Sequence, residues 1–137
     1  MKFADTVTSI TEWFGWCASA MDHNPQDWVS PRELVDDFAA LGLKHRGADI
    51  GSFNQEDRLK FQIVLAKHMT FFADIRLLNK KTKPRTDTVD GRLQSLPEQG
   101  YHLSALGKKL AYCDVRTQKY YVGMAYALNR IKSIFRR

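Results

Sequence analysis

The sequence predicts a mostly α chain with a small β-hairpin, an α+β fold. Three observations predict it. Apolar residues recur at spacings of three and four near both ends of the chain. Ser30-Pro31-Arg32-Glu33 carries the residues that open a helix. Asp90-Gly91 is a common two-residue hairpin turn. The 137 residues suit one domain, 1–137, with a helix appended at each end.

Taken in order, residues 5–21 read as a helix, with Val7, Ile10, Phe14, Cys17 and Met21 on one stripe that Trp13 and Trp16 widen. His23-Asn24-Pro25 breaks it. Trp28 and Val29 suit a very short strand or a hydrophobic staple. Ser30 caps a helix over 31–41, Pro31 takes its first position and Glu33 can reach back to the Ser30 amide. Leu34, Val35, Phe38 and Leu41 face inward, and Gly42 ends the helix. Residues 44–53 read as a loop. Asn54 caps a helix over about 55–69, with Leu59, Ile63 and Ala66 on one side and Phe61, Val64, Leu65 and Met69 beside them. Phe71 to Leu78 reads as a strand, and residues 79–100 as a long loop with turn signals at Lys83-Pro84, Asp90-Gly91 and Leu96-Pro97. Tyr101 to Leu103 is the returning strand, Ser104 caps a helix over 105–113, and a last helix covers about 117–135.

This order of helix, short strand, two helices, strand, basic loop, strand and helix is that of winged helix-turn-helix domains. The segment Tyr101-His-Leu103-Ser104-Ala-Leu-Gly107-Lys-Lys-Leu110 resembles the Y-x-L-S/T-x-x-G-x-x-L stretch that ends the wing in MarR-like and PadR-like bacterial regulators. The resemblance covers about 28–113 by element order. It implies that the tyrosine and leucine lie on the last strand, that Ser104 caps the following helix, and that Gly107 lets that helix pack closely. It also implies a transcriptional regulator that dimerises through its terminal helices, about 5–21 and 117–135. The chain departs from the family's pattern in three places, one of them the long loop between the two expected strands. No glycine turn follows Ala66-Lys67-His68-Met69, and the connection over about 42–54 is longer than a tight helix-turn-helix turn.

Charge points to a polyanionic partner. The net charge is +6, but residues 1–57 hold ten acids and four Lys/Arg, whereas 58–137 hold seventeen Lys/Arg and five acids. Arg76, Lys80, Lys81, Lys83, Arg85 and Arg92 crowd one segment. A phosphate backbone rewards such a patch by releasing counterions, and an arginine can enter a narrow minor groove. On the 55–69 helix, Gln55, Arg58 and Gln62 share a face and are residue types that read adenine and guanine in the major groove; Asn54 can donate to a phosphate. The expected function is therefore duplex DNA binding, sequence-specific or general, through a basic wing. Two alternatives stand beside it. One is a small adaptor or inhibitor of the kind mobile elements encode, docking through Trp13, Trp16, Trp28 and the acidic first half of the chain and binding no nucleic acid. The other is RNA binding, with Tyr101, Tyr120 and Tyr121 stacking unpaired bases.

In the last helix, Tyr121, Met124, Leu128, Ile131 and Phe135 form a seam that suits a homodimer or packing within the chain. No metal or cofactor is expected, since His23, His45, His68 and His102 lack ligand spacing and neither a phosphate-binding glycine loop nor a nucleophile elbow occurs. No enzyme is expected. Asp49, Glu56, Asp57 and Lys60 loosely match the acid-acid-lysine sets of metal-dependent nucleases, but acids at a helix start favour its dipole. Cys17 and Cys113 read as small core residues in a reducing compartment. No apolar run reaches membrane-span length, and no signal peptide is evident, so a cytoplasmic protein without membrane contact is expected.

Overall fold

A computed structural model describes residues 10–22, 28–45 and 47–135. Within them the fold is α+β, with five α-helices, a two-residue ladder and a long antiparallel hairpin. Val7, His23 and the break after α1 lie outside the described residues.

Helix α1 (Ile10–Asp22) buries Trp13, Phe14, Cys17 and Met21. Trp13 is the hub of an aromatic cluster: its ring lies 6.3 Å from Phe38, 5.4 Å from Phe61 and 4.4 Å from His68. Helix α2 (Pro31–Ala40) starts as its sequence dictates, with Ser30 Oγ accepting from Glu33 N at 3.2 Å. The Glu33 carboxylate does not return to the Ser30 amide; it lies 3.8 Å from Arg32. The helix ends where Gly42 takes a left-handed φ of 71°. Leu34, Val35 and Phe38 are buried, but Leu41 is the exposed C-cap. The expected loop over 44–53 contains β1 (Lys44–His45) paired with β2 (Ala48–Asp49), then a 3₁₀ turn that buries Ile50.

Helix α3 (Gln55–Asp74) corrects the expected strand at Phe71–Leu78. Phe61, Leu65, Met69 and Phe72 continue one buried stripe, and Phe72 meets Phe14 at 5.6 Å, so burial carries the helix past Met69. Of the two apolar sides read from the sequence, the one with Leu59 and Ile63 faces outward, and these are 49% and 59% exposed. The helix stops without glycine because Arg76 itself adopts φ 67°; Leu77 N then donates to Phe72 O and Arg76 N to Ala73 O, the two bonds of a Schellman motif.

Strands β3 (Leu78–Val89) and β4 (Arg92–Leu103) replace the expected long loop. Only Asp90-Gly91 turns the chain, with φ 54° and 76°, a type I′ hairpin turn. Pro84 and Pro97, read as turn residues, face each other across the ribbon. Proline donates nothing to a ladder and is tolerated at such an edge. The hairpin base is seated on the helices by a one-residue bridge: Val29 N donates to Tyr101 O at 2.9 Å and Tyr101 N to Val29 O at 2.8 Å. Helix α4 (Ala105–Ala111) follows, capped by Ser104 Oγ, which accepts from Gly107 N at 2.9 Å and donates to Arg76 O at 2.6 Å. A Cβ on Gly107 would sit 2.1 Å from Leu77 O, so α4 lies directly on the backbone that enters β3. Helix α5 (Val115–Phe135) packs Val122 inward, and Tyr121 donates to Ile75 O at 3.2 Å. Cys113, expected in the core, is exposed between the two helices.

Two predictions test this packing. Gly107→Ala destabilises the fold by about 1–3 kcal/mol, because its methyl meets a carbonyl that cannot rotate away; Gly123→Ala, with open space at its Cβ, stabilises it by about 0.5–1 kcal/mol. Chemical denaturation of both variants reads the contrast, and equal effects contradict it. Burial holds the His68 imidazole neutral, with its pKa lowered from 6.5 to about 3. The unfolded chain takes up that proton first, so stability falls as pH drops from 6.5 towards 3, by at most about 1.4 kcal/mol per pH unit. Denaturation of His68→Gln shows a shallower fall; an identical slope contradicts the assignment.

Candidate nucleic-acid interface

Strand β3 alternates its side chains, so Lys81, Lys83, Arg85 and Asp87 share one face and Lys80, Thr82, Pro84 and Thr86 the other. The first face is organised by Trp28, which precedes the bridging Val29. Its indole Nε1 donates to Lys81 O at 2.7 Å, and its ring lies against Gly100, where a Cβ would come within 2.1 Å of Cε2. Lys83 Nζ stands 5.0 Å from that ring, a cation–π distance. Lys80 lies on the opposite face beside Tyr101, whose hydroxyl is 3.3 Å from Thr70 Oγ1 of α3. The basic residues of the strand therefore do not form one sheet-wide surface. They run along the outer strand of the ribbon and project to both sides of it.

Carboxylates neutralise part of the set. Glu98 receives Arg85 Nη1 at 2.8 Å and Arg32 Nη2 of α2 at 3.3 Å, and Arg85 Nη2 also reaches Asp87 at 3.2 Å. Burial pushes the Glu98 carboxyl up, but the Ser30 hydroxyl and the two guanidiniums together hold it below the usual carboxylate range. Arg76, Lys80, Lys81, Lys83 and Arg92 have no ion-pair partner among the described residues. Arg92 sits beside the turn, roughly 26 Å along the ribbon from Lys81 at about 3.3 Å per residue.

The base-reading set expected on α3 is largely occupied within the chain. Asn54 Oδ1 accepts from Asp57 N at 2.8 Å as the helix cap. The Arg58 guanidinium binds Asp36 of α2, and Gln62 is half-buried on the same flank, leaving Gln55 exposed. The outward face of α3 instead carries Leu59, Lys60, Ile63 and Lys67, with Lys60 Nζ 3.1 Å from Glu56. Along the expected seam in α5, Tyr121 is turned inward, whereas Met124, Leu128 and Ile131 stay about half exposed; the Phe135 side chain lies outside the described residues.

Trp13 and Trp28 are buried, so they are not surface docking residues, and Tyr101 is buried rather than available for base stacking. A cleft of about 330 Å³ opens between α1, α4 and α5, lined among others by Gly15, Ala18, Leu103 and Ala111, and none of the basic residues of β3 lines it. No group of three His, Cys, Asp or Glu able to hold a metal occurs among the described residues, and no helix among them is long and apolar enough to cross a membrane.

The sequence reading missed Glu98, although its signal was present. A two-residue turn at Asp90-Gly91 places Lys83 opposite Glu98 and puts Arg85 two residues further along the same face. Compared with protein-family models, curated proteins and solved structures, the chain matches none.

Arg76 carries a cation and also a helix terminus in a conformation that costs a side chain about 1 kcal/mol. Arg76→Gly accordingly raises stability by about that amount in chemical denaturation; lower stability contradicts the strained terminus.

Proposed function

We propose that this chain is a duplex DNA-binding protein of winged-helix type, with the β3–β4 hairpin as its wing. The observation that carries the reading is the outer strand of a projecting hairpin on which Lys80, Lys81 and Lys83 have no carboxylate partner among the described residues. Three features support it. The element order α1, Val29 bridge, α2, α3 and hairpin is that of winged helices. The Ser104 cap and the close approach at Gly107 reproduce the roles that the resemblance to MarR-like and PadR-like regulators implies. The unpaired cations are spaced along an extended ribbon, which suits a phosphate backbone rather than one small anion.

The wing supplies the affinity in this reading. Arg85 and Arg58 do not, since both are engaged by carboxylates. Binding is mainly to the backbone, because Gln55 alone of the expected base-reading set stands clear. Transcriptional control is the role that the resemblance implies.

Titration of salt against a random-sequence duplex tests this. In the triple variant Lys80→Ala, Lys81→Ala, Lys83→Ala, the slope of log K against log salt becomes shallower by about 0.9 for each phosphate that is no longer neutralised, whereas Arg85→Ala leaves it nearly unchanged. An unchanged slope in the triple variant, or no duplex binding by the parent protein, refutes the proposal.

A further inference from the structure

Of the twelve large apolar residues that stay exposed among the described residues, eight lie between Leu106 and Ile131. Scattered exposed apolar side chains need no explanation, but their concentration in one segment does. Four of them form a stripe on α5: Tyr120, Met124, Leu128 and Ile131, 70%, 47%, 52% and 48% exposed. Their spacing of four, four and three keeps them on one side of the helix over roughly 16 Å. The adjoining side is the one packed on the body, through Val122 and Ala125, with Tyr121 at the boundary and its hydroxyl bound to Ile75 O. The stripe therefore points outward with α5 in place, and no unfolding is needed to present it.

The charge around the stripe identifies what can cover it. Asp114 is the last acidic side chain in the sequence, and its carboxylate caps α5 by accepting from Thr117 N at 2.8 Å. Beyond it, α5 carries Arg116, Lys119, Arg130 and Lys132 without an ion-pair partner among the described residues. A second copy of α5 would place cation against cation at every flank, parallel or antiparallel. A nucleic-acid backbone would satisfy the cations but offers nothing apolar to four half-exposed side chains. An anionic lipid surface satisfies both: the apolar face enters the headgroup boundary while lysine and arginine reach the phosphates, and tyrosine favours that depth.

We propose that the α5 stripe, flanked by its four cations, docks this protein on an anionic lipid surface. The docking is peripheral and separate from the hairpin, so it stands or falls independently of the DNA-binding reading.

Cosedimentation of the intact protein with vesicles tests it. The protein pellets with phosphatidylcholine vesicles containing phosphatidylglycerol, not with pure phosphatidylcholine, and added salt weakens the binding. Met124→Asp with Leu128→Asp lowers binding by at least about tenfold, and Arg130→Gln or Lys132→Gln by about fivefold each. Both stripe positions are already half exposed, and circular dichroism with thermal melting verifies that the variants fold. A milder variant, Leu128→Ser, lowers binding in the same direction. Equal binding to both vesicle types, or undiminished binding by the folded stripe variant, overturns the proposal. A parent protein that is dimeric in sedimentation equilibrium, becomes monomeric in the stripe variant and ignores vesicles also overturns it, and assigns the stripe to a second copy.

Discussion

The fold depends on how closely the base of the hairpin approaches the helical body. Four contacts act together there. The Val29–Tyr101 bridge joins the segment before α2 to β4. Trp28 lies flat where Gly100 has no side chain. Gly107 brings α4 onto the Leu77 carbonyl, and Ser104 ties α4 to the Arg76 carbonyl. An isolated two-stranded ribbon is marginal in water. This one is ordered from its base because Leu78, Tyr101 and Leu103 are buried in the same core as Phe14 and Phe72. Outward of Glu98, where Arg32 of α2 still reaches it, the ribbon is largely exposed on both faces, and its stability there comes from the ladder and the Asp90-Gly91 turn.

This arrangement sets the electrostatics. The seat brings α2 against the first face of the ribbon, so Arg32 and Arg85 converge on Glu98 and cancel there. The lysines of β3 have no ion pair among the described residues: Lys83, although opposite Glu98, is turned over Trp28, and Lys80 and Lys81 are exposed. Lys83 is held over Trp28, which limits its rotamers and thus the entropy it loses on meeting an anion. The same logic separates the two ends of the chain: acids gather on α2 and the start of α3, while the residues after Asp114 carry none.

Features encoded within four residues were legible in the sequence. The Ser30, Asn54 and Ser104 caps, the Gly42 stop and the Asp90-Gly91 turn are all local geometry. The length of the strands was not legible, because most of the ribbon is exposed on both faces and shows no period-two hydrophobicity. Pro84 and Pro97 then read as turns, though each stands opposite the other in the ladder. The end of α3 was misread because Arg76 does what glycine usually does, and because the helical state of Phe71 and Phe72 is decided by Phe14, more than fifty residues away in sequence. The candidate site was legible as a cluster of cations. Which of them stay unpaired was not, since Arg58 meets Asp36 and Arg85 meets Glu98 only after the helices and the hairpin are assembled.

Native-state hydrogen exchange at the Val29 and Tyr101 amides tests the seat most directly. If the close approach of hairpin and helices organises the molecule, these two amides exchange only through global unfolding, with the same free energy as the buried amide of Leu65 in α3. Exchange at the much lower free energy of the amides beside Asp90-Gly91 would show that the base of the hairpin opens on its own, and would contradict the account.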